Sequence, residues 1–443
     1  MENNKQHGFG ILLPITLLAY FLILMDNSIV FTSSVEIGEG MHLNAGALAW
    51  VSNAYTLTFG GFLLLSGRLS DLLGRKRIFQ IGLVLFGLMS LMVGVSQNAF
   101  EIIAARAVQG IGSSIIAPTT LALMMDAYTG EQRTRAISYY GATAGIGSSL
   151  GLLIGGALTS LISWRAGFLI NVPLTIILIV LTQKYIRDYE GERKKIDFVG
   201  SILSVLGFAS LIYGFGADTN QLLFILTGVF LLLVFIFYEK RQSIPILPLE
   251  LFHNRIRSGA YAVRLIFMMA ILPYWFLLPQ VMQRLYGFSA LQAGIAFLPL
   301  SVTTFLSALQ LPMLTKMMGN NRVLLIGNLV LIVGFVWSFF ADLNRGYFAA
   351  VLLPLILIGF GSALVTAPVT SSGIYEAPDE IAGSASGLTN AMHQLGGPIG
   401  LSIIMAQTSD FHYQTAWMAG FSVISTIIVY IFIYQNGRKP VLD

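Results

Sequence analysis

The first apolar run of the chain contains one carboxylic acid, which is the strongest candidate in the sequence for a chemical role. Asp26 lies near the middle of residues 11–35, a stretch that otherwise has the composition of a membrane-spanning helix. An ionisable side chain at that depth costs about 2.5–3.5 kcal/mol to insert. Because such residues are usually tolerated where they face a cavity and bind a proton or a cation, Asp26 is predicted to be a protonatable site.

Other polar side chains occur inside apolar runs at helical spacing. Asn53 and Thr56 share one face of the second run. Asn390, His393 and Gln394 share one face of a later run, at i, i+3 and i+4 spacing. Both faces are predicted to line a substrate cavity, and hydrogen bonding between helices is the alternative.

Two charged residues are expected near the membrane surfaces. Glu36 lies at the outer end of the first run and is predicted to be solvated or to lie at the mouth of the cavity. Arg264 follows Arg257 by about two turns of helix, and its side chain is expected to snorkel to the cytoplasmic interface.

Composition places the chain among membrane proteins. Its 443 residues are 56% hydrophobic and only 10% charged, whereas soluble proteins have about 25% charged residues. The net charge of +4 does not indicate nucleic-acid binding, because the basic residues are spread between apolar runs. Cysteine is absent, and so are H-E-x-x-H, G-x-S-x-G and G-x-x-x-x-G-K-[ST] motifs, which argues against an enzyme or an ATP-driven pump. No metal site and no cofactor are predicted.

Fourteen apolar stretches are long enough to cross a bilayer, which takes about 20 residues each. They are residues 11–35, 47–66, 78–96, 101–124, 136–159, 166–186, 198–216, 221–238, 259–282, 291–313, 322–341, 347–369, 382–407 and 415–435. An even number places both termini on one side, and twenty of the 25 basic residues fall on that side, which the positive-inside rule assigns to the cytoplasm. The sequence therefore predicts an all-α, multi-pass protein of the cell membrane with both termini cytoplasmic and a first helix that is retained rather than cleaved as a signal.

Arg106 is predicted to be the partner of Asp26. It lies about five residues into a helix that enters from outside, roughly 7–8 Å deep, and Asp26 lies roughly 22 Å along a core about 30 Å thick from the inner side. The two charges are therefore expected at a similar level, and a buried arginine needs a partner. Gln109, one turn away, adds a polar group to the same face, and Asp26 and Gln109 are both predicted to line the substrate cavity.

Internal repeats divide the chain into two halves. Residues 69–77 (LSDLLGRKR) and 314–322 (LTKMMGNNR) align without gaps at an offset of 245 residues, and the same offset superposes 150–155 on 395–400. Parallel repeats of six helices are typical of secondary transporters, whose substrate site lies between the repeats. The predicted domains are a six-helix bundle in 1–186, a linker with two additional helices in 187–257, and a second six-helix bundle in 258–443.

The segment G-R-L-S-D-L-L-G-R-K-R at 67–77 resembles a loop found after the second helix of major facilitator superfamily transporters. The resemblance extends over nearly the whole chain. It includes 102–114 around Arg106, and L-M-D-N-S-I-V at 24–30 is similar to the signature of the fourteen-helix drug:proton antiporter group. The resemblance implies a major facilitator fold of 6 + 2 + 6 helices and a loop that acts as a latch on the inner side. The latch residues are Gly67 and Gly74, which permit a tight turn, together with Asp71, Arg75 and Arg77.

The segment G-S-S-L-G-L-L-I-G-G at 147–156 resembles the helix 5 motif of antiporters in this superfamily. Four glycines at spacings of three to four residues let a neighbouring helix approach closely: Gly147, Gly151, Gly155 and Gly156. Leu152 stands where the motif has a proline, so the kink that a proline imposes is not expected. Ordinary helix packing is the alternative interpretation.

The resemblance implies a secondary active efflux transporter that exchanges cytoplasmic amphipathic, often cationic, compounds for external protons by alternating access. Asp26 and Arg106 are the expected coupling residues, and the expected form is a monomer in the lipid bilayer, driven by the proton gradient. A sodium-coupled drug antiporter and a small-solute transporter of the same fold are alternatives, since Asp26, Asn27 and Ser28 also offer oxygens to Na⁺. A membrane enzyme or receptor is the third alternative, and no sequence motif supports it.

Overall fold

The computed structural model describes residues 9–186, 197–216, 219–242 and 245–436, and this part of the chain is helical without any strand. The side chain of Asp71 is outside the described residues. The helices are α1 (Leu12–Gly40), α2 (Ala45–Leu73), α3 (Arg75–Val95), α4 (Ala99–Ala127), α5 (Gly130–Leu161), α6 (Trp164–Leu169), α7 (Asn171–Tyr185), α8 (Phe198–Gly216), α9 (Gln221–Glu239), α10 (Arg255–Tyr286), α11 (Ala290–Met318), α12 (Asn320–Phe340), α13 (Tyr347–Ala350), α14 (Leu352–Gly373), α15 (Asp379–Gln407) and α16 (Phe411–Ile428). A six-residue π-helical segment, Val429–Tyr434, continues α16.

The helices account for the predicted membrane spans. Thirteen helical stretches of the described chain are long and apolar enough to cross a membrane, and two of them are the interrupted pairs α6–α7 and α13–α14. The remaining predicted span is α15, which has 29 residues but carries Asn390, His393 and Gln394 in its middle. The prediction of an all-α membrane protein is confirmed. Many helices extend beyond the predicted bounds, because the backbone hydrogen-bond ladder continues past the apolar segment that sequence reading detects.

The contacts between helices divide the helices into two groups and one central pair, α8 and α9. In the first group α1 packs on α5 and α4, α2 packs on α4, and α3 packs on α4 and α7. In the second, α10 packs on α15 and α16, while α11 and α12 pack on α14. Helices α8 and α9 pack on each other, and α8 also contacts α2 and α15. The predicted domain boundaries at 186 and 257 stay predictions.

The main helix pairs that join the two groups are α2 with α15, α5 with α11, and α1 with α10, and α1 also contacts α11. We call the end of the bundle where α1 begins the inner end and the opposite end the outer end. The contacts of α5 with α11 lie at the outer end, where Ser160 Oγ accepts a hydrogen bond from the Leu291 amide at 3.0 Å. In the outer half, Gln283 Nε2 of α10 donates a hydrogen bond to the Thr32 carbonyl of α1 at 3.0 Å.

The turn between the second and third helices of each half is a single glycine. Gly74 has φ 89° between α2 and α3, and Gly319 has φ 82° between α11 and α12. Only glycine adopts this conformation without strain, so both halves require it at equivalent positions. The structure differs from the sequence prediction at Gly67, which lies inside α2 and does not form the turn, because α2 continues two turns beyond its apolar part.

The glycine face of α5 holds α1. A Cβ atom added at Gly151 would lie 2.8 Å from the Met25 Cα atom, and one at Gly155 would lie 2.8 Å from the Ile29 Cα atom. Gly147 lies close to the Leu24 side chain. Gly156 faces α11, and a Cβ atom added there would lie 2.6 Å from the Ala290 carbonyl oxygen. The two helices therefore pack backbone to backbone on either side of Asp26.

We expect Gly151→Ala to lower the thermal stability of the protein, because the new methyl group overlaps the α1 backbone. Overpacking of this kind costs about 1–3 kcal/mol. Gly141→Ala, on the exposed side of the same helix with no atom within 4 Å of its added Cβ, is the matched control and should be neutral or stabilising. Unfolding midpoints of both variants in detergent test this, and equal midpoints would contradict the packing described here.

Candidate functional site

The carboxylate of Asp26 is fully buried and is bound by three hydrogen-bond donors. Oδ2 accepts from Arg106 Nη1 at 2.5 Å. Oδ1 accepts from Gln109 Nε2 at 2.9 Å and from Asn171 Nδ2 at 2.7 Å. Because all three partners donate, the site is suited to an ionised carboxylate.

Arg106 is equally buried and is held from several sides. Its Nε donates to the Val51 carbonyl at 3.1 Å and its Nη1 also donates to Gln109 Oε1 at 2.7 Å. The guanidinium carbon lies 4.1 Å from the centre of the Tyr55 ring, a distance suited to a cation–π contact. Its Nη2 has no partner. The arginine thus joins α4 to α1 and α2 through both charge and ring stacking.

Two members of this cluster were not predicted from the sequence. Ser90 of α3 lies 2.7 Å from Gln109 Nε2 and 3.3 Å from Asn171 Nδ2. Asn171 is the first residue of α7, which begins after a break in the helix that separates α7 from α6. Pro173 explains the break, because it has no N–H to continue the hydrogen-bond ladder of α6. The position of Asn171 two residues before that proline indicates a helix break, but it does not indicate a contact with Asp26.

The cluster lies inside the first group of helices, and neither of the two large cavities includes Asp26 or Gln109. This differs from the prediction that both line the substrate cavity. The physical reason is that α4 and α7 supply three donors to the carboxylate, and Ser90 of α3 accepts hydrogen bonds from two of these donor groups, so that the carboxylate is enclosed. Sequence reading had identified only the donors of α4.

The larger cavity, of about 670 Å³, lies at the inner end between the two groups of helices, and we call it the inner cavity. Asn390 and Gln394 of α15 line it, and so does Gly67, while the predicted role of the two α15 residues in substrate binding stays a prediction. Tyr20 of α1 and Tyr140 of α5 also line it, with stacked rings 3.9 Å apart. A second cavity of about 550 Å³ lies at the outer end and includes Glu39.

The other predicted cavity residues have different surroundings. Asn53 Nδ2 donates to Ser402 Oγ at 3.1 Å and so joins α2 to α15, while Thr56 Oγ1 bonds to its own helix backbone. These two contacts support the alternative of interhelical and local hydrogen bonding. His393 is half-buried with no partner for Nδ1, and Glu36 is half-buried with no partner for one carboxylate oxygen.

The predicted latch region ties the third helix to the fourth at the inner end. Arg75 Nη1 donates to the Ala122 carbonyl at 2.6 Å and also pairs with Asp126 of α4. Arg77 is exposed. The predicted role of Asp71 falls outside the described residues. In the second half Asn320, at the position equivalent to Arg75, donates to the Pro368 carbonyl of α14 at 3.1 Å, so this half keeps a similar tie with an amide.

Arg264 does not reach the membrane interface as the sequence predicted. Its residue is only 6% exposed, and Nη1 donates to the Thr366 carbonyl of α14 at 3.2 Å. The prediction failed because α10 crosses the bundle beside α1 and α14, so protein and not lipid surrounds this turn of the helix.

Comparison with known proteins decides the family, since the model of the Major Facilitator Superfamily matches residues 16–401. The chain belongs to the Major Facilitator Superfamily. It is therefore a multi-pass transporter of the cell membrane and not an enzyme. The crystal structure of the POT family transporter PepTSo has the same fold, with a TM-score of 0.75, 14% identity, and coverage of 98% of this chain and 100% of that chain.

Several curated relatives are similar over most of the chain. EfpA of Mycobacterium tuberculosis, described as an uncharacterized MFS-type transporter, is 32% identical over 90% of this chain and 76% of its own length. The cephamycin export protein CmcT of Amycolatopsis lactamdurans is 31% identical over 88% of this chain and 83% of its own length. The puromycin resistance protein pur8 of Streptomyces alboniger is 29% identical over 88% of this chain and 80% of its own length.

We expect Asp26 and Arg106 to be strongly coupled in stability. Asp26→Asn leaves the Arg106 charge buried without its counter-ion, which costs about 3–5 kcal/mol in comparable sites. The double variant Asp26→Asn/Arg106→Gln should therefore lose less stability than the two single variants together.

The control is the exposed pair of Glu131 and Arg135, whose side chains are 79% and 63% accessible. Glutamine substitutions there should be additive to within about 1 kcal/mol. Thermal unfolding of both cycles in detergent tests the difference, and additivity at Asp26 and Arg106 would contradict the buried pair.

Proposed function

We propose that this transporter exports small amphipathic compounds, antibiotics among them, in exchange for protons, with Asp26 as the protonatable group. Membership of the superfamily and the similarity to CmcT, an export protein, and pur8, a resistance protein, support the export of drug-like compounds. In this proposal both termini and the inner cavity face the cytoplasm, and the protein works as a monomer.

The observation that carries the proposal is the enclosed Asp26–Arg106 pair. Burying a carboxylate without solvent contact in a membrane protein costs free energy, and residues that carry this cost usually have a functional role. It is bound here by an arginine from α4 and amides from α4 and α7. Protonation removes the negative charge that holds these three groups against α1, so it weakens the attachment of α1 to α4 and α7.

The position of α1 explains how protonation could reach the substrate path. This helix packs on α5 through the glycine face and on α10 of the second group, and its residue Tyr20 lines the inner cavity. A movement of α1 would therefore change both the cavity wall and the contact between the two groups. Proton exchange at Asp26 requires such a movement, because solvent does not reach the carboxylate in this conformation.

Sodium coupling has less support from the geometry. Na⁺ binding needs a shell of oxygen ligands, whereas the carboxylate of Asp26 is surrounded by nitrogen donors, one of which carries a positive charge. We therefore favour protons, and the transport experiment contains a sodium arm.

Membrane vesicles with an imposed pH gradient test the proposal by uptake of a substrate dye. The wild type should transport only with the gradient, and an uncoupler should abolish the signal. Asp26→Asn should lower gradient-driven transport at least about tenfold while substrate exchange without a gradient persists, because the carrier can still rock with a permanently neutral side chain. Asp26→Glu, which keeps a carboxylic acid, should retain gradient-driven transport with a changed pH profile.

Asp342→Asn is the matched control, since Asp342 is an exposed carboxylate at the outer end, and it should leave transport unchanged. An Asp26→Asn protein that transports with an undiminished proton requirement refutes the role of Asp26. Transport that follows an imposed Na⁺ gradient and ignores the pH gradient refutes proton coupling.

A further inference from the structure

Two buried carboxyl groups converge at the inner end of the central helix pair. Asp197 immediately precedes α8, and Glu239 is the last residue of α9. The two residues are 9% and 2% exposed. Asp197 Oδ2 and Glu239 Oε1 both lie within 2.5 Å of the position that a Cβ atom on Gly200 would occupy. The two oxygens therefore approach one point, and the glycine leaves room for them.

Each of these carboxyl groups has one oxygen that accepts a hydrogen bond and one that does not. Asp197 Oδ1 accepts from the Gly200 amide at 2.8 Å, as the side chain of a helix N-cap does. Glu239 Oε2 accepts from the Leu247 amide at 2.9 Å. Asp197 Oδ2 and Glu239 Oε1 are buried without a donor. Helix capping and attachment of the next segment thus account for one oxygen of each residue and leave the facing oxygens unexplained.

The described chain provides no positive charge to this pair. None of the ion pairs among the described residues includes Asp197 or Glu239. Lys240 and Arg241 follow Glu239 but have exposed side chains, and Glu250 of the next segment is exposed as well. The facing oxygens are therefore not neutralised by a neighbouring lysine or arginine of the described chain.

The remaining titratable groups around the pair are neutral ones. The hydroxyl group of Tyr238 on α9 interacts with Asp197, and a phenol keeps its proton at neutral pH. The helices α2 and α15, which pack on α8, contribute no carboxylate, lysine or arginine among their described side chains. His393 lies halfway along α15.

One proton would satisfy both of the unpaired oxygens. Two ionised carboxylates in one buried site repel each other strongly, and such a pair retains a proton that an isolated carboxyl group would lose. The side chains of Asp197 and Glu239 are in hydrogen-bonding contact. With one proton between them, the protonated oxygen donates and the ionised oxygen accepts, which makes a charge-assisted hydrogen bond.

The same pair holds a part of the wall of the inner cavity. Ile246 lines that cavity, and the next residue, Leu247, donates its amide hydrogen to Glu239. The Leu247 side chain packs against the buried cluster that contains Leu251. A change in the charge or position of the Glu239 carboxyl group therefore acts on residues 245–248 at the cavity wall.

We propose that Asp197 and Glu239 form a second proton-binding site, separate from Asp26, in which one shared proton joins α8 to α9 and holds residues 245–248 at the inner cavity. Loss of this proton leaves two negative charges face to face, which separates the adjoining ends of α8 and α9. The site is independent of the proposed export function, because proton binding is measured without transport.

Infrared spectroscopy of the purified protein in detergent tests the site, since only a protonated carboxyl group gives a carboxylic acid C=O stretching band. At neutral pH the band of the wild type should exceed that of Glu239→Gln by about one carboxyl group. Asp197→Asn, which keeps an N-cap side chain, should cause the same loss. Equal bands in the wild type and both variants overturn the proposal.

Two further variants show where the band comes from. Glu250→Gln, which replaces an exposed carboxylate nearby, is the matched control and should leave the band unchanged. The difference caused by Glu239→Gln should persist in an Asp26→Asn background. Its disappearance in that background would assign the proton to Asp26 and overturn the second site.

The pH dependence of stability is an independent test. The unfolding midpoint of the wild type should fall as the pH rises from neutral through the loss of the shared proton, because the folded protein then binds more protons than the unfolded protein. Glu239→Gln should lack this fall, since its amide donates to Asp197 at every pH and its carbonyl still accepts from Leu247. Glu250→Gln should retain it. A fall of equal size in Glu239→Gln overturns the proposal.

A metal cation is the other conceivable occupant of the pair. Among the described residues no third acidic or histidine side chain joins the two carboxyl groups, whereas Ca²⁺ takes six to eight oxygen ligands. Replacing choline by Na⁺ or Ca²⁺ at alkaline pH should therefore leave the unfolding midpoint of the wild type unchanged. A rise in the midpoint that Glu239→Gln abolishes shows a cation site and overturns the proton assignment.

Discussion

The ion pair between Asp26 and Arg106 is the constraint on which the first group of helices depends. Neither charge has access to solvent, so each must be satisfied by protein, and the donors and acceptors come from α1, α2, α4 and α7. These helices cannot separate without exposing or orphaning a charge. In the proposed function the same property makes the pair a switch, because adding one proton would remove the negative charge around which the four helices are arranged.

The two halves of the protein use the same packing with opposite charges. Gly151 and Gly155 of α5 lie against Met25 and Ile29 of α1, while Gly396 and Gly400 of α15 lie against Leu265 and Met269 of α10. The first helix of one half thus carries a neutralised carboxylate, and the first helix of the other carries the guanidinium of Arg264, which donates to the Thr366 carbonyl. The halves are equivalent in packing and have diverged in chemistry, since one half pairs its buried charge with an opposite charge and the other with a backbone carbonyl.

Much of the fold was predictable because bilayer thickness and helical periodicity act on local sequence. The apolar runs predicted the helices. The 245-residue offset predicted that Gly74 and Gly319 occupy equivalent turns, and the positive φ angles of both glycines agree with this. The level of Asp26 and Arg106 followed from counting residues along two helices. By contrast Asn171 and Ser90, the two remaining polar contacts of this cluster, are isolated polar residues without a pattern, and nothing local marks them as neighbours of Asp26.

The sequence by itself determined the membrane class, the number and order of the helices, the internal repeat and the pairing of Asp26 with Arg106, since all of these depend on composition, spacing or depth along one helix. Only the tertiary structure decided which faces meet. It enclosed Asp26 within one group of helices and outside both of the large cavities, joined Asn53 to α15, and buried Arg264 against α14. The physical reason is that the cost of burying a charge depends on every group around it, and those groups come from helices that are distant in sequence.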